Sequence, residues 1–505
     1  MIVFASFFFL AAGADGWNVT APLVPQPEAE RKAELAARRE AVMRKIGPNS
    51  VLILYAAQGH VYAADVDQPY REENNFYYLT GIEQTGAVLA LIPGATTDRE
   101  ILFLPDKARR AVIYTGAVIS AEEAKARTGI AQVLPENKMA SVLGIAGVPG
   151  APAEKPLEDA FHKAAQKDEA QLYVFLPRQP DSMEYRQEQA LAARIAAVSS
   201  GITLKDAAPV FRALRLIKSP REIALIQQAI DISAEGFERA MAVMAPGKCE
   251  CEIQAEFDYT YARRHARWGY PTIAGSGVHG TTLHYAEDRD TMHAGETMVL
   301  DAGAEYDHYS ADITRTLPVS GQFTPAQADL YRIVYEAQQA AIRSAHPGAL
   351  IGVFTKLDAA SFTGQAVAVV KEGLLRLGLI TSKDNDEFRY WLPHGVTHQL
   401  GMNVHDLEKP GLEMAPGMVM TIEPGLYIRP DGLEALPKTP ENEKFIEAVR
   451  PAFEKYKGIG VRIEDDVLIT ETGAKVLSAG IPSKLEDVEA SMAGVKARLK
   501  RTPLP

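Results

Sequence analysis

Between Thr297 and Thr316 the chain reads T-M-V-L-D-A-G-A-E-Y-D-H-Y-S-A-D-I-T-R-T, and no other stretch limits its folding so narrowly. Apolar, β-branched runs flank a polar centre, Glu305–His308, which is the pattern of two strands joined by a tight turn. A hairpin that turns between Tyr306 and Asp307 sets Asp301 directly opposite Asp312. Opposed residues have Cβ atoms roughly 4.5–5.5 Å apart and like charges so placed repel, so this register calls for something positive between the two acids. The bland alternative puts one aspartate in the turn and the other on a solvated face. The apolar setting V-L-D-A-G and the ligand-type residues downstream argue against it.

Those residues come in three places. H-G-V-T-H-Q-L-G-M-N-V-H-D carries His394, His398 and His405 within a dozen positions. Read as a helix, His394 and His398 share a face, but Gly395, Val396, Thr397 and Gly401 are poor helix formers, so a loop or strand facing a cleft is expected. Glu423 precedes Pro424, which biases it to extended backbone. In G-V-R-I-E-D-D-V, period two places Arg462 and Glu464 on one face, and the plain reading makes Arg462 the partner that a buried Glu464 needs. Asp301, Asp312, Glu423 and Glu464 with a neutral His398 are formally −4, which two divalent cations cancel. So oxygen-rich a set with one nitrogen suits manganese, with zinc or cobalt as the other choices. Two cations sharing carboxylates hold a hydroxide at neutral pH and polarise a carbonyl beside it, which is hydrolytic machinery. Gly275-Ser-Gly277-Val-His-Gly280 satisfies G-x-G-x-x-G, but the β-prone T-T-L-H-Y that follows offers no helix to a pyrophosphate.

A chain of 505 residues exceeds one ordinary core, and two domains are expected. After the tether A-P-L-V-P-Q-P, helical and strand-like segments alternate over residues 28–205, including the strand-like runs Val51–Tyr55, Ala87–Ile92, Ile101–Leu104 and Leu172–Phe175, as in an α/β domain. The second domain, residues 212–490, reads as α+β. It opens with S-P-R-E, where Ser219 caps, Pro220 takes the first helical position and Glu222 closes a capping box. Helices are expected at Glu250–Arg267, Pro325–Ala345 and Gly352–Leu377, and Pro430–Lys457 reads as a polar, Pro-punctuated insertion between two strands. A net charge of −12 without basic runs argues against nucleic acid or an anionic membrane and suits a small or peptide-like substrate. Cys249 and Cys251, in C-E-C, would close an uncomfortably short loop, so no structural disulfide is expected. Met1–Ala14 is too short to span a bilayer, ends in A-G-A and reads as a signal peptide; export to the periplasm or the medium follows, and a cytoplasmic location otherwise.

D-A-G, S-A-D-I-T-R-T, H-G-V-T-H-Q-L-G-M-N-V-H-D, T-I-E-P-G-L-Y and G-V-R-I-E-D-D, in this order, resemble the pita-bread metallopeptidases, the family of aminopeptidase P, prolidase and methionine aminopeptidase. D-Q-P-Y-R-E-E-N-N-F-Y-Y-L-T-G-I is similar to the aminopeptidase P (creatinase-type) N-terminal module. The resemblance implies an α/β N-terminal domain followed by a pita-bread catalytic domain. It further implies two metals held by Asp301, Asp312, His398, Glu423 and Glu464, with Asp312 and Glu464 bridging and Glu423 handling the proton of the attacking hydroxide. His284, His394 and His405 would line the substrate cleft, and Arg462, supported by Tyr427, would orient the bridging carboxylate. The implied activity is removal of the N-terminal residue from peptides with proline second, whose tertiary amide lacks an N–H. Prolidase, cleaving Xaa-Pro dipeptides, is the near alternative and a metal-free peptide-binding module the distant one. The resemblance also suggests a homo-oligomer.

Overall fold

A computed structural model describes residues 11–12, 16–106, 109–149, 159–177, 185–198, 201–407 and 411–504. The leader Met1–Ala14 therefore lies almost wholly outside the described residues. Contacts divide the chain into two units, Val24–Arg215 and a second made of Leu216–Pro505 together with Met1–Leu23. Among the described residues no helix is long and apolar enough to cross a membrane.

The smaller unit is built on a sheet of six strands, β1 (Ser50–Tyr55), β2 (Val88–Leu91), β3 (Glu100–Leu104), β4 (Gln132–Pro135), β5 (Ala170–Val174) and β6 (Ile202–Asp206), in the order β6-β5-β1-β2-β3-β4. β1 runs parallel to β5 and antiparallel to β2. All six β1 residues are buried, which is why the run is apolar without alternation. α1 (Glu28–Ile46) turns Leu35, Val42, Met43 and Ile46 inward and stops at Gly47, whose φ is 83°. In the R-E-E-N-N-F motif, Glu73 caps α2 (Asn74–Thr80) by accepting from Phe76 N at 2.7 Å. α3 (Arg186–Val198) buries Glu188 beside Leu191 and Ile195.

The larger unit opens with α4 (Pro220–Val243), whose Ser219–Glu222 capping box and first-turn proline match the sequence expectation. α5 (Glu250–Arg263) follows. The antiparallel sheet β7 (Ile273–Ser276), β8 (Thr297–Asp301) and β11 (Thr314–Pro318) has β8 at its centre. Between β8 and β11 lies the hairpin β9 (Ala304–Tyr306) and β10 (Tyr309–Ser310). Next come α6 (Pro325–Ser344) and α7 (Phe362–Leu377); α7 starts ten residues later than expected because Ser361, not a residue near Gly352, provides the cap. β12 (Val419–Ile422) pairs with β15 (Asp465–Thr470), which pairs with β16 (Gly473–Val476), while β13 (Gly425–Tyr427) pairs with β14 (Gly460–Arg462). α9 (Leu485–Leu499) closes the chain and packs on α4. The segment before the smaller unit also lies on α4. Trp17 is 1% exposed beneath the Arg498 guanidinium, and the Asn18 and Thr20 amides donate to Glu238 and Glu235 at 2.9 and 3.0 Å.

Two expectations need correction, the hairpin register and the cysteines, and a third is extended: the insertion lies between two strands as expected but holds a helix. The hairpin pairs Tyr306 with Tyr309, so the turn is Asp307–His308, both with positive φ (48° and 68°), and Asp301 faces Thr314 rather than Asp312. A two-residue turn of positive φ matches the twist of the flanking strands, and aspartate tolerates that geometry. Hydrogen bonds from Ala302 to Ile313 and from Ala311 to Ala304 carry the same pairing inward and set Asp312 against Gly303, where a Cβ would overlap the Ala311 carbonyl. Because the shift is two residues, both aspartates keep the same face. The insertion after Pro430 contains a helix, α8 (Pro440–Tyr456), capped by Thr439, with Phe445, Val449, Phe453 and Tyr456 buried. Cys249 and Cys251 form a disulfide: an extended Cys249 leads straight into the first turn of α5 and brings the Cα atoms to 5.1 Å, within the normal span.

Candidate metal centre

Each candidate ligand sits at the end of a strand or just beyond it. Asp301 ends β8 and Asp312 precedes β11. The histidine segment is extended, not helical: Thr421 N donates to His398 O, Glu423 N to Val396 O and Leu400 N to Val419 O, at 2.9–3.0 Å, so it lies alongside β12. Glu423 follows β12, and Glu464, just ahead of β15, is tied to β11 by its amide donating to Thr314 O at 3.0 Å.

The side chains converge. Asp301, Asp312 and Glu464 offer oxygens that all lie within 4.8 Å of one another, and so do the ligand atoms of His398, Glu423 and Glu464. Glu464 is common to both groups. His398 Nε2 stands 3.3 Å from Asp312, 3.5 Å from Glu423 and 4.0 Å from Glu464. Asp301, Asp312, His398 and Glu464 are buried, and Glu423 is partly open.

Arg462 does not bond to Glu464 directly, as the plain sequence reading had it. Its Nη2 lies 2.6 Å from Asp301, its Nη1 donates to Tyr427 OH at 2.8 Å, and its Nε donates to Thr314 Oγ1, which in turn donates to Glu464 at 2.7 Å. Tyr270 OH donates to the other Asp301 oxygen at 2.5 Å. Asp466, fully buried, accepts the Asp312 amide at 3.1 Å. Sequence reasoning missed Tyr270, Thr314 and Asp466; Thr314 and Asp466 carried a signal, each two positions from a candidate ligand, Asp312 and Glu464, in a period-two stretch, and Tyr270 carried none. His394 Nε2 lies 2.9 Å from Tyr427 OH and its Nδ1 3.6 Å from Glu423. The His405 ring packs tilted against His398, with ring centroids 4.0 Å apart. His284 is exposed.

The electrostatics of the bare protein fit a cation site. Burial raises Asp301, Glu423 (to about 7) and, with the charges of Asp312 and Glu423, drives Glu464 well above the usual carboxylate range. Burial opposes a charge on His398, but the Asp312 hydrogen bond and Glu423 outweigh it and raise the imidazole to about 9. Burial, aided by Arg462, lowers His394 to about 3, and burial with the His398 charge lowers His405 to about 4. Crowded acids without a cation thus hold protons, and cations bind such a site by displacing them.

A buried carboxylate cluster around His398, with His394 and His405 beside it, in an α+β unit is the side-chain set of a metal-dependent hydrolase. The sequence profile of metallopeptidase family M24 matches residues 224–471, and that of the aminopeptidase P N-terminal domain matches residues 35–147. The Xaa-Pro aminopeptidase of Escherichia coli K12 is 34% identical over 477 residues, 92% of this chain and 98% of its own. Human Xaa-Pro aminopeptidase 3 is 30% identical over 91% of this chain and 85% of its own. The solved structure of E. coli aminopeptidase P with the inhibitor Pro-Leu superimposes with a TM-score of 0.75 at 31% identity, over 92% of this chain and 99% of that one. The chain belongs to metallopeptidase family M24, in its aminopeptidase P branch, and is a metal-dependent aminopeptidase acting on peptides.

Proposed function

We propose that this enzyme removes the N-terminal residue from peptides whose second residue is proline. The observation that carries the reading is the shared Glu464: one triad of ligand atoms contains Asp301 and Asp312, another contains His398 and Glu423, and both use Glu464. In this assignment Asp301 would hold one cation and His398 and Glu423 the other, Asp312 and Glu464 would be shared between them, and manganese would be favoured over zinc or cobalt. Bound there, two divalent cations supply an activated water at neutral pH and polarise the scissile carbonyl. Glu423, partly open to the cleft, takes the proton of the attacking water and returns it to the leaving nitrogen. His284, His394 and His405 line the cleft, where a neutral imidazole donates to the developing oxyanion. Arg462 fixes the carboxylates from behind, directly through Asp301 and through Thr314 to Glu464. The leader Met1–Ala14 supports export, and the family resemblance supports a homo-oligomer.

A peptide panel tests this. Metal-stripped protein reloaded with manganese, zinc or cobalt is given Gly-Pro, Arg-Pro-Pro and a matched peptide with alanine second. The proposal expects release of arginine from Arg-Pro-Pro and an intact alanine control. Cleavage of Gly-Pro with Arg-Pro-Pro left whole would make the enzyme a prolidase instead.

A further inference from the structure

We infer that Glu250 is a positioning residue for His284, an inference that rests on the reading of His284 as a cleft residue. Glu250 lies at the first turn of α5, is 0% exposed, and has both oxygens saturated. Oε1 accepts from Ser276 N at 2.8 Å, Ser276 Oγ at 2.7 Å and His279 Nδ1 at 3.2 Å. Oε2 accepts from Tyr285 OH at 2.9 Å and Asp290 N at 3.0 Å. Ser276 ends β7, and His279, Tyr285 and Asp290 lie in the connection from β7 to β8 that carries His284. Its backbone is held by one short turn at 277–281 and, at its far end, by a bridge of Thr291 to Cys249 in which Glu250 N donates to Asp290 O at 2.9 Å; the stretch around His284 between them has no strand ladder. There the Glu250 carboxylate supplies the hold, and His279 stacked on Tyr285 at 4.3 Å closes the knot around it.

His284 sits between two anchors. On one side Leu283 O accepts from Arg462 Nη2 at 3.5 Å, and on the other the Tyr285 hydroxyl reaches Glu250. Among the described residues no lysine or arginine pairs with Glu250. Burial pushes its carboxyl up, but the donors from Ser276, Asp290 and His279 outweigh burial and hold the group below the usual carboxylate range. A charge kept in the interior by five donors of one loop has that loop's shape as its product. None of the five proposed metal ligands lies in residues 276–290, so the metal content of each variant separates a misplaced His284 from a damaged cation site.

The test uses full-length protein loaded with manganese, with Tyr285→Phe and Glu250→Gln each made in the wild-type and His284→Ala backgrounds. Tyr285→Phe removes only the bond beside His284 and stays informative should Glu250→Gln fail to fold. Glu250→Gln is expected to lower kcat/KM on an Xaa-Pro peptide about 10–100-fold and Tyr285→Phe about 3–10-fold, at unchanged metal content. In the His284→Ala background both losses should shrink below about twofold, because there is no longer an imidazole to misplace. Losses that multiply with His284→Ala, or a His284→Ala enzyme as fast as wild type, overturn the proposal. Placement is also read without turnover: the His284 imidazole carbon resonance, assigned by its disappearance in His284→Ala, should shift or broaden in Tyr285→Phe, and an unmoved resonance overturns the proposal. Should the resonance move while wild type leaves Xaa-Pro peptides whole, the placement stands and the substrate reading falls.

Discussion

Replacing Arg462 by methionine keeps an unbranched stem and removes the guanidinium with its charge. The guanidinium is 4% exposed and its ion pair with Asp301 spans 2.6 Å, so the change strands a carboxylate that is itself 7% exposed and keeps only the Tyr270 hydroxyl. Breaking a buried pair by removing one partner costs about 3–5 kcal/mol. Unit charges about 4 Å apart at an effective dielectric near 20 give about 4 kcal/mol, the same size. At roughly 2 °C per kcal/mol for a large unit, metal-stripped Arg462→Met should melt about 6–10 °C below metal-stripped wild type. Cations at the site share the neutralising of Asp301, so the difference should narrow when both proteins are reloaded. Calorimetry with and without chelator reads both numbers. An unchanged melting temperature, or equal drops in the loaded and stripped proteins, would refute the role given to this ion pair.

His398→Ala should abolish turnover while the protein stays folded, as judged by circular dichroism; turnover at the wild-type rate with metal stripped would sink the site. Gly303→Ala drives a Cβ into the Ala311 carbonyl and should cost soluble expression or several degrees of melting temperature, whereas a wild-type melt would contradict the hairpin register. Burial raises Glu188 from 4.5 to about 7, so between those values the folded chain holds a proton that the unfolded chain releases. Its stabilising protonation is complete below pH 4.5 and lost as pH rises towards 7, by about 3 kcal/mol at most. Glu188→Gln should flatten that part of the stability profile in denaturant titrations and exceed wild type at pH 8; a slope that persists in the variant argues against it.

The parts of the fold legible in the sequence were those with a local physical cause. Ser219-Pro220-Arg221-Glu222 could be read as a helix start because every group involved in the cap lies within one turn. The poor helix formers around His398 announced an extended segment, and Pro424 did the same for Glu423. Hairpin register was legible only to within parity: period two says which residues share a face, but the turn decides which residues face each other, and Asp307 and His308 give a weaker turn signal than Asn-Gly would. Tyr270 was invisible because its partner, Asp301, is 31 residues away and brought near by the sheet alone. The helix in the insertion was hidden by its prolines, although Thr439-Pro440-Glu441 already held a capping pattern.

Residues 17–20 and the helix at 485–499, far apart in sequence, lie on the same helix. Trp17 and Thr20 meet α4 from one side of the sequence, while Arg498 covers Trp17 and pairs with Glu238 from the other. On the ribosome, α4 and the site-bearing strands are therefore synthesised long before the last helix emerges to cover them. The larger unit cannot finish assembling until residues 485–499 have emerged, and a nascent chain stalled near residue 480 would carry an open seam along α4 for chaperones or proteases to find.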